Sequence, residues 1–595
     1  MPRKAIQSVP AASIQRPMTI VAQDPSVTNS DGSILTAQVS IPAERLAAGP
    51  WGHRVQVVDY DVTSGAYLQP WDFEQRDSLV DPYATKSSTS LLHDPRFHAQ
   101  NVYAIAMRIL ARFEFAFGRR VAWSFQSHQL KIAPHAFRDA NAFYDRRSES
   151  LRFGYFRKQA DDGEVFTCLS HDIVAHETTH AILDGLQSRY VYPSSPDQAA
   201  FHEAFSDVVA LLSVFSLTEV VAKLLGNNPN GSESNKDGAT ISADELLLDN
   251  LKSSLLFGLA EQFGSELRAV RGSPLRSSLA LHPKGTSLTA PEFQEPHRRG
   301  EVLVAAVLNA FLRVFLRRVA ALDAGKSGVF DRKRVVEEAA KTADHLLTIA
   351  IRALDYCPPV HLTFPAYLSA LISSDSEVVG NDTAYGYRAE LSASFKSFGI
   401  EPTELHNHDQ PGGWRALQPG ELSLNYSRSH FRAFQTDEQE VFRFLWENRD
   451  ELGIRDDGYT RVLQVRPCLR ISPEGFPLRE TVVQYVQIAD VRAGQLLSRF
   501  KIRRPVDDTN PMKNDVRVQL HGGGTLVFDQ YGQLKFNIVT PIDGDEQAKR
   551  VEYLWSVGYF REKTKPAIAT GFSQVHRLRA LQQDSAEFVS NEAWV

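Results

Sequence analysis

The sequence predicts an α+β fold in which hairpins and helices mix over the first 400 or so residues and a separate α+β module follows. Three observations predict it. Apolar residues recur at helical spacing through long stretches such as "FHAQNVYAIAMRILARFEFAFG", 97 to 118. Between such stretches lie short alternating or aromatic-rich runs around polar turns, which read as hairpins. Past the Pro-, Gly- and Asn-rich "EPTELHNHDQPGGW", 401 to 414, strand-like runs take over.

In chain order, residues 1–45 are polar and turn-rich and read as a loosely attached extension. "HRVQVVDYDVTSGAYLQP" (53 to 70) alternates around a Thr-Ser-Gly turn and reads as a hairpin, as does "NAFYDRRSESLRFGYF" (141 to 156). Helices are expected over 168–186, closed by Gly185 just past the last turn, and over 199–214. "LGNNPNGSESNKDGAT" (225 to 240) reads as a surface loop, and helices return at 300–316, 331–354 and 387–398. After the linker, one helix at 437–448 precedes the runs "YTRVLQVRPCLRI", "ETVVQYVQIADV" and the hairpin "GTLVFDQYGQLKFNIV". The division that results is 1–45 extension, 46–187 β-rich lobe, 188–402 helical lobe, 403–420 linker and 421–595 module. The composition of the linker predicts a boundary that few contacts cross, so a chain cut near Pro411 is expected to keep its fold.

At 595 residues the chain has room for two to four domains, each with a real core. A net charge of −6 over this length gives no reason to expect a nucleic-acid partner or a polybasic membrane surface. There is no secretory h-region at the start and no apolar run of eighteen residues. A cytoplasmic location, or export without an N-terminal signal peptide, is the expectation. Three cysteines, Cys168, Cys357 and Cys468, lack CxxC spacing, which argues against a disulfide framework and a thiolate zinc knuckle.

The chemistry concentrates in "HDIVAHETTHAILDGL". On a helix, His176 and His180 are four apart and project from one face, a spacing that suits two imidazoles on one Zn²⁺ with Glu177 beside them as general base. After a tyrosine-bearing loop a new helix opens with "AAFHEAFSDVVALL", carrying Glu203 and, one turn on, Asp207. Two antiparallel helices can bring Glu203 opposite the histidines. His₂Glu with a fourth position open is the catalytic rather than the structural arrangement of zinc. Asp207 can then hold a ligand histidine in its tautomer. His171 and His202 flank the motif without the ligands' helical phase and read as bystanders.

"DIVAHETTHAILDGL … HEAFSD" resembles the thermolysin-like metallopeptidases, gluzincins whose third ligand is a Glu on a following helix. The likeness continues in "NAFYD", "PHRRGEVLVAAVLNAF" and "YRAELSASFKSFGI", over about 50 to 402. It implies a two-lobe zincin unit, β-rich then helical, with the zinc site in the cleft between. It implies His176, His180 and Glu203 on one Zn²⁺, with Glu177 as general base toward a zinc-activated water in the hydrolysis of peptide bonds. It further implies that His297 and a loop tyrosine, Tyr190 or Tyr192, stabilise the oxyanion. Asn141 and the backbone of Ala142 would align a peptide or protein substrate as an added strand. Arg271 or Arg276 stands where a substrate-carbonyl Arg falls, and Ile173 where the family lines an apolar primed-side pocket.

The chain departs from the family in three places, the first being a spacing from His180 to Glu203 a few residues longer than the family's, which leaves the loop tyrosine open between Tyr190 and Tyr192. Val214 stands where a calcium-binding Glu belongs, so calcium there is doubtful, and the long inhibitory pro-segment is missing. Two other readings are a catalytically silent scaffold whose 421–595 module binds a protein partner, and a gluzincin aminopeptidase, whose Gly-x-Met-Glu-Asn amine-binding segment is not found. "HGGG" (521 to 524) has no GxSxG elbow to serve and reads as a glycine-rich turn before a strand, while "AGKSG" (324 to 328) lacks the first Gly of a phosphate loop.

Overall fold

The computed structural model describes residues 15–29, 31–72, 80–157, 163–192, 194–226, 240–252, 278, 280–322, 328–403, 411–472, 475–505 and 511–560. Its first elements correct the reading of residues 1–45 as a loose extension. Strands β1 (Gln15–Val21) and β2 (Thr36–Pro42) pair antiparallel, and the alternation in "TAQVSIP" buries Ala37, Val39 and Ile41 while the residues between them face out. Met18, Ile20 and Val21 join the same core, and the Val21 N–H donates to Asn101 Oδ1 at 2.9 Å. Polar composition concealed a period-2 pattern here.

A five-stranded sheet follows, ordered β3 (Val55–Val57), β4 (Leu130–Phe137), β6 (Ser150–Arg157), β5 (Ala142–Asp145), with β7 (Glu164–Phe166) beside β6. The hairpin expected over 53–70 is only partly formed. Tyr60–Asp61 pairs with Ala66–Tyr67, whereas β3 runs parallel to β4. The 141–156 hairpin is present as β5 and β6, with β5 left at the edge. Helix α1 (Pro95–Phe117) begins with Asp94 as N-cap and Pro at its start and ends on Gly118 in the left-handed conformation.

Helices α2 (His171–Leu186) and α3 (Pro196–Phe215) pack against each other, and α2 also packs on α1 and on the edge strand β5. Gly185 lies inside α2 rather than past its end. A Cβ there would come within 2.2 Å of the Ala122 carbonyl oxygen, so the glycine serves close approach instead of termination. Helices α4 (Pro296–Ala320), α5 (Arg332–Arg352), α6 (Phe364–Ser376) and α7 (Tyr387–Ser397) complete this part. The expected loop at 225–240 falls mostly outside the described residues, as do Arg271, Arg276 and most of "AGKSG". No single described helix is long and apolar enough to cross a membrane.

The last part carries α8 (Glu438–Glu447) and a fully antiparallel sheet ordered β8 (Tyr459–Ile471), β9 (Pro477–Arg492), β10 (Arg517–Phe528), β11 (Leu534–Thr540), with α9 (Gly544–Ser556) after it. "HGGG" lies within β10 rather than in a turn before a strand. A Cβ at Gly523 would meet the Tyr485 carbonyl oxygen at 2.3 Å, so the glycine is required by the crowding between paired strands.

The module has its own small clusters, yet it is not separate from the rest of the chain. Along β9, Val482 faces the main core and Val483 the side of α8, as strand alternation demands. Cys468, Val527, Phe536 and Ile538 belong to the main core as well. Buried charges cross the same junction. Asp355 takes Arg119 Nη1 and Nη2 at 2.6 and 2.7 Å and Arg470 Nη2 at 2.5 Å, and Arg470 also pairs with Glu480. Burial works to raise the Asp355 carboxyl, and the charges of Arg119, Arg470 and Arg466 override it and hold it at about 2. The expected boundary of few contacts is therefore corrected, because the composition of a linker says nothing about the faces on either side of it.

A chain ending near Pro411 would expose that core face and strip Asp355 of two of its arginines. Expressed alone it should be insoluble or lack a cooperative thermal transition; a soluble fragment that melts cooperatively would show the sheet to be dispensable. In the full chain, Arg470→Met should cost about 3–5 kcal/mol in denaturant unfolding, the usual loss when one partner leaves a buried pair.

Candidate metal centre

Helix α2 is buried at every position except Gly185. A helix enclosed in this way must satisfy its polar groups from protein. Ser170 makes no side-chain cap, and the His171 N–H donates instead to the Gln23 carbonyl at 2.7 Å. The two threonines of "HETTH" bond back within the helix, Thr178 Oγ1 to the Val174 carbonyl and Thr179 Oγ1 to that of Ala175, both at 2.7 Å. At the other end, Gln464 Nε2 of β8 reaches the Leu186 carbonyl at 3.3 Å, and Arg466 Nη2 bonds the same oxygen. An Arg at a helix C-terminus also suits the helix dipole.

Helix α3 starts with Ser195 as cap, its Oγ accepting from the Gln198 N–H at 3.1 Å, and with Pro196 at its first position. Asp197 in the first turn pairs with Arg299 of α4 and accepts the Phe364 N–H at 2.8 Å, which fixes the helix against its neighbours. With both helices anchored, one face of α3 is presented to α2.

On that face His176, His180 and Glu203 converge, each offering one ligand atom, all within 4.8 Å of one another. Glu203 Oε2 lies 3.5 Å from His176 Nε2, and Oε1 lies 3.7 Å from His180 Nε2. The far nitrogen of each imidazole is held by protein. His176 Nδ1 is 2.7 Å from Asp207 Oδ1. His180 Nδ1 is 2.8 Å from His202 Nδ1 and 3.1 Å from Ser206 Oγ. Two nitrogens and a carboxylate, with both Nδ1 atoms engaged so that Nε2 faces inward, are a donor set suited to Zn²⁺. The two histidines are buried while the side chains of Glu203 and Asp207 keep 14% and 18% exposure, so the carboxylate side of the cluster is the side open to solvent.

Glu177 is buried too, and its Oε2 accepts the backbone N–H of Tyr144 at 3.0 Å. The Tyr144 hydroxyl donates to Asp184 Oδ2 at 3.0 Å, so this one residue ties the edge strand β5 to α2 at two points. Because the Gly154 N–H donates to the Asn141 carbonyl, strand alternation turns the backbone of Ala142 and Tyr144 outward, away from β6. The Ala142 N–H is met by Asn141 Oδ1 at 2.8 Å.

Several expectations are corrected here. Tyr190 is buried, stacks edge-on with Phe201 and donates its hydroxyl to the Pro358 carbonyl at 2.7 Å, which makes it a packing residue and removes it as an oxyanion donor. Tyr192 is 51% exposed on the same loop. Ile173 is buried in the core rather than lining an open pocket, and Val214 is an apolar core residue. His202 is no bystander: it touches His180. The signal was present in the sequence, because His202 and Ser206 are four apart on the turn adjoining Glu203 and Asp207, giving a polar patch four residues wide. Tyr144 and Asp184 carried no comparable signal. His297 is the second residue of α4; its side chain is outside the described set.

No model of a known protein family matches the chain, and no curated protein matches it either.

Glu203→Ala should remove about one equivalent of zinc per chain, and Asp207→Asn should weaken retention about 10–100-fold. Elemental analysis with a chelator-competition titration measures both, and unchanged zinc content in Glu203→Ala would take Glu203 out of the ligand set.

Proposed function

We propose that the protein is a zinc-dependent metalloendopeptidase of the thermolysin-like kind. The observation that carries this reading is the meeting of His176, His180 and Glu203 within 4.8 Å, next to a glutamate that is hydrogen-bonded to an outward-facing edge strand. Held by those three side chains, Zn²⁺ supplies Lewis acidity toward a scissile carbonyl and lowers the pKa of a water to about 7.

The rest of the work falls to the chain's own residues. An extended peptide or protein substrate adds as a strand along the outer edge of β5, where the backbone of Ala142 and the Asn141 side chain give it register. The Tyr144 N–H donates to Glu177 Oε2 and holds the carboxylate beside the cluster. Glu177 accepts a proton from the attacking water as its oxygen bonds to the carbonyl carbon. It returns that proton to the amine nitrogen as the C–N bond breaks. Asp207 and His202 each keep an imidazole oriented with its Nε2 directed inward. Tyr192 and His297 are the donors this reading retains for the oxyanion, since Tyr190 is engaged elsewhere.

Glu177→Gln preserves shape but cannot take the proton. With zinc content unchanged, kcat toward a peptide library should fall about 10²- to 10⁴-fold. Cleavage at the wild-type rate would exclude Glu177 as the base.

A further inference from the structure

A second buried cluster stands apart from the one above. His98 on α1, His135 on β4 and Cys168 in the turn before α2 are 1%, 5% and 0% exposed, and one donor atom from each lies within 4.8 Å of the others. The hydrogen bonds around the two rings fix their tautomers. His98 Nε2 is 3.0 Å from the Leu92 carbonyl, which can only accept, so Nε2 carries the proton. His135 Nδ1 is 2.7 Å from Asp59 Oδ2, and the Asp59 Oδ1 also accepts the His135 backbone N–H at 3.1 Å, so Nδ1 is the donor there. The two remaining nitrogens, His98 Nδ1 and His135 Nε2, then face each other at 2.8 Å as lone pairs. Two lone pairs at that distance repel unless a cation lies between them.

We propose that His98, His135 and Cys168 form a metal site, separate from the HExxH centre, for a thiolate-accepting transition-metal ion of the Zn²⁺ type. The arrangement has what such a site needs. Each histidine has its far nitrogen bonded to a carboxylate or a backbone carbonyl, the usual support of a ligating imidazole. The third donor is a sulfur, and none of the three cysteines is committed to a disulfide. Metal–nitrogen bonds of about 2.0–2.1 Å in a tetrahedral site separate two nitrogens by about 3.3 Å, so the rings need to part by only about half an ångström. Access exists, because His98 and His135 line a cavity of about 840 Å³ whose wall also carries Asp24, Asp61 and Tyr155. That cavity leaves a fourth position reachable by water or a small ligand. On binding, the Cys168 thiol gives up its proton to solvent and the sulfur becomes the anionic ligand. The competing occupant is a proton shared between His98 Nδ1 and His135 Nε2; that arrangement makes no use of the sulfur.

The sulfur therefore decides the test. Full-length protein stripped with a chelator and titrated with Co²⁺ should develop a near-ultraviolet thiolate-to-cobalt charge-transfer absorption. The HExxH centre has no sulfur donor, so its cobalt gives only weaker visible bands. The absorption should persist in the His176→Ala/His180→Ala double variant and vanish in Cys168→Ser. The wild-type titration needs no variant to fold: cobalt uptake without the charge-transfer absorption overturns the proposal and leaves the peptidase reading untouched. An absorption that survives in soluble Cys168→Ser overturns it as well. Loss of about one equivalent of bound cobalt in the double variant, with the ultraviolet absorption retained, supports two independent sites.

Discussion

The constraint on which the structure depends is the full enclosure of the helix His171–Leu186. A helix that water does not reach must have its terminal N–H and C=O groups met by protein, and here both ends are met by distant chain. Gln23, in the loop between the two strands of the first hairpin, accepts the first N–H, while Gln464 and Arg466 of the late sheet take the Leu186 carbonyl. The hairpin and the sheet are thus parts of the scaffold that holds His176 and His180. The same enclosure explains the polar residues inside the helix. Thr178 and Thr179 turn back on their own turn, and Asp184 finds Ser124 and Tyr144. The histidines are placed by Asp207, His202 and Ser206. Buried polar groups without such partners would each cost about 1–3 kcal/mol.

This burial bears on chemistry as well as stability. Ligand side chains locked by packing and by hydrogen bonds to their far atoms lose little entropy when they close on a metal, and their lone pairs are already directed inward. The glutamate beside them is likewise fixed, because Tyr144 presents its N–H from a strand that is itself pinned to the helix through Asp184. The edge strand whose Tyr144 N–H holds Glu177 is the four residues Ala142–Asp145; under the proposed function this one element would set both the position of the base and the register of the substrate.

Local patterns made much of this legible in the sequence. The period of "FHAQNVYAIAMRILARFEFAFG" gave its helix, and the four-residue spacing of His176 and His180, repeated in Glu203 and Asp207, gave the two facing pairs of side chains, because helix geometry alone puts i and i+4 together. What escaped notice depends on contacts between distant segments. Gly185 looked like a terminator because the Ala122 carbonyl it accommodates is far away in the chain. Tyr190 and Tyr192 are equivalent until the fold turns one toward Pro358. The independence read into the last third came from a linker's composition, which carries no information about Val482, Arg466 or Arg470 packing into the larger core.

The two histidine clusters are linked through the few residues that lead into the enclosed helix. Asn101 of α1 donates from Nδ2 to the Cys168 carbonyl at 2.9 Å and accepts the Val21 N–H on Oδ1 at 2.9 Å. One amide thereby joins the first hairpin, the long helix that bears His98 and the turn that bears Cys168. That turn, Thr167–Leu169, passes at once into His171, whose N–H is the one held by Gln23. A metal gripping α1, β4 and this turn would add a third bond across a junction already closed by Asn101. The position at which α2 starts, five residues ahead of His176, would be set more firmly. On this view the inner cluster serves the outer one by rigidity: it fixes where the helix begins, and the spacing of the sequence then determines where His176 and His180 point.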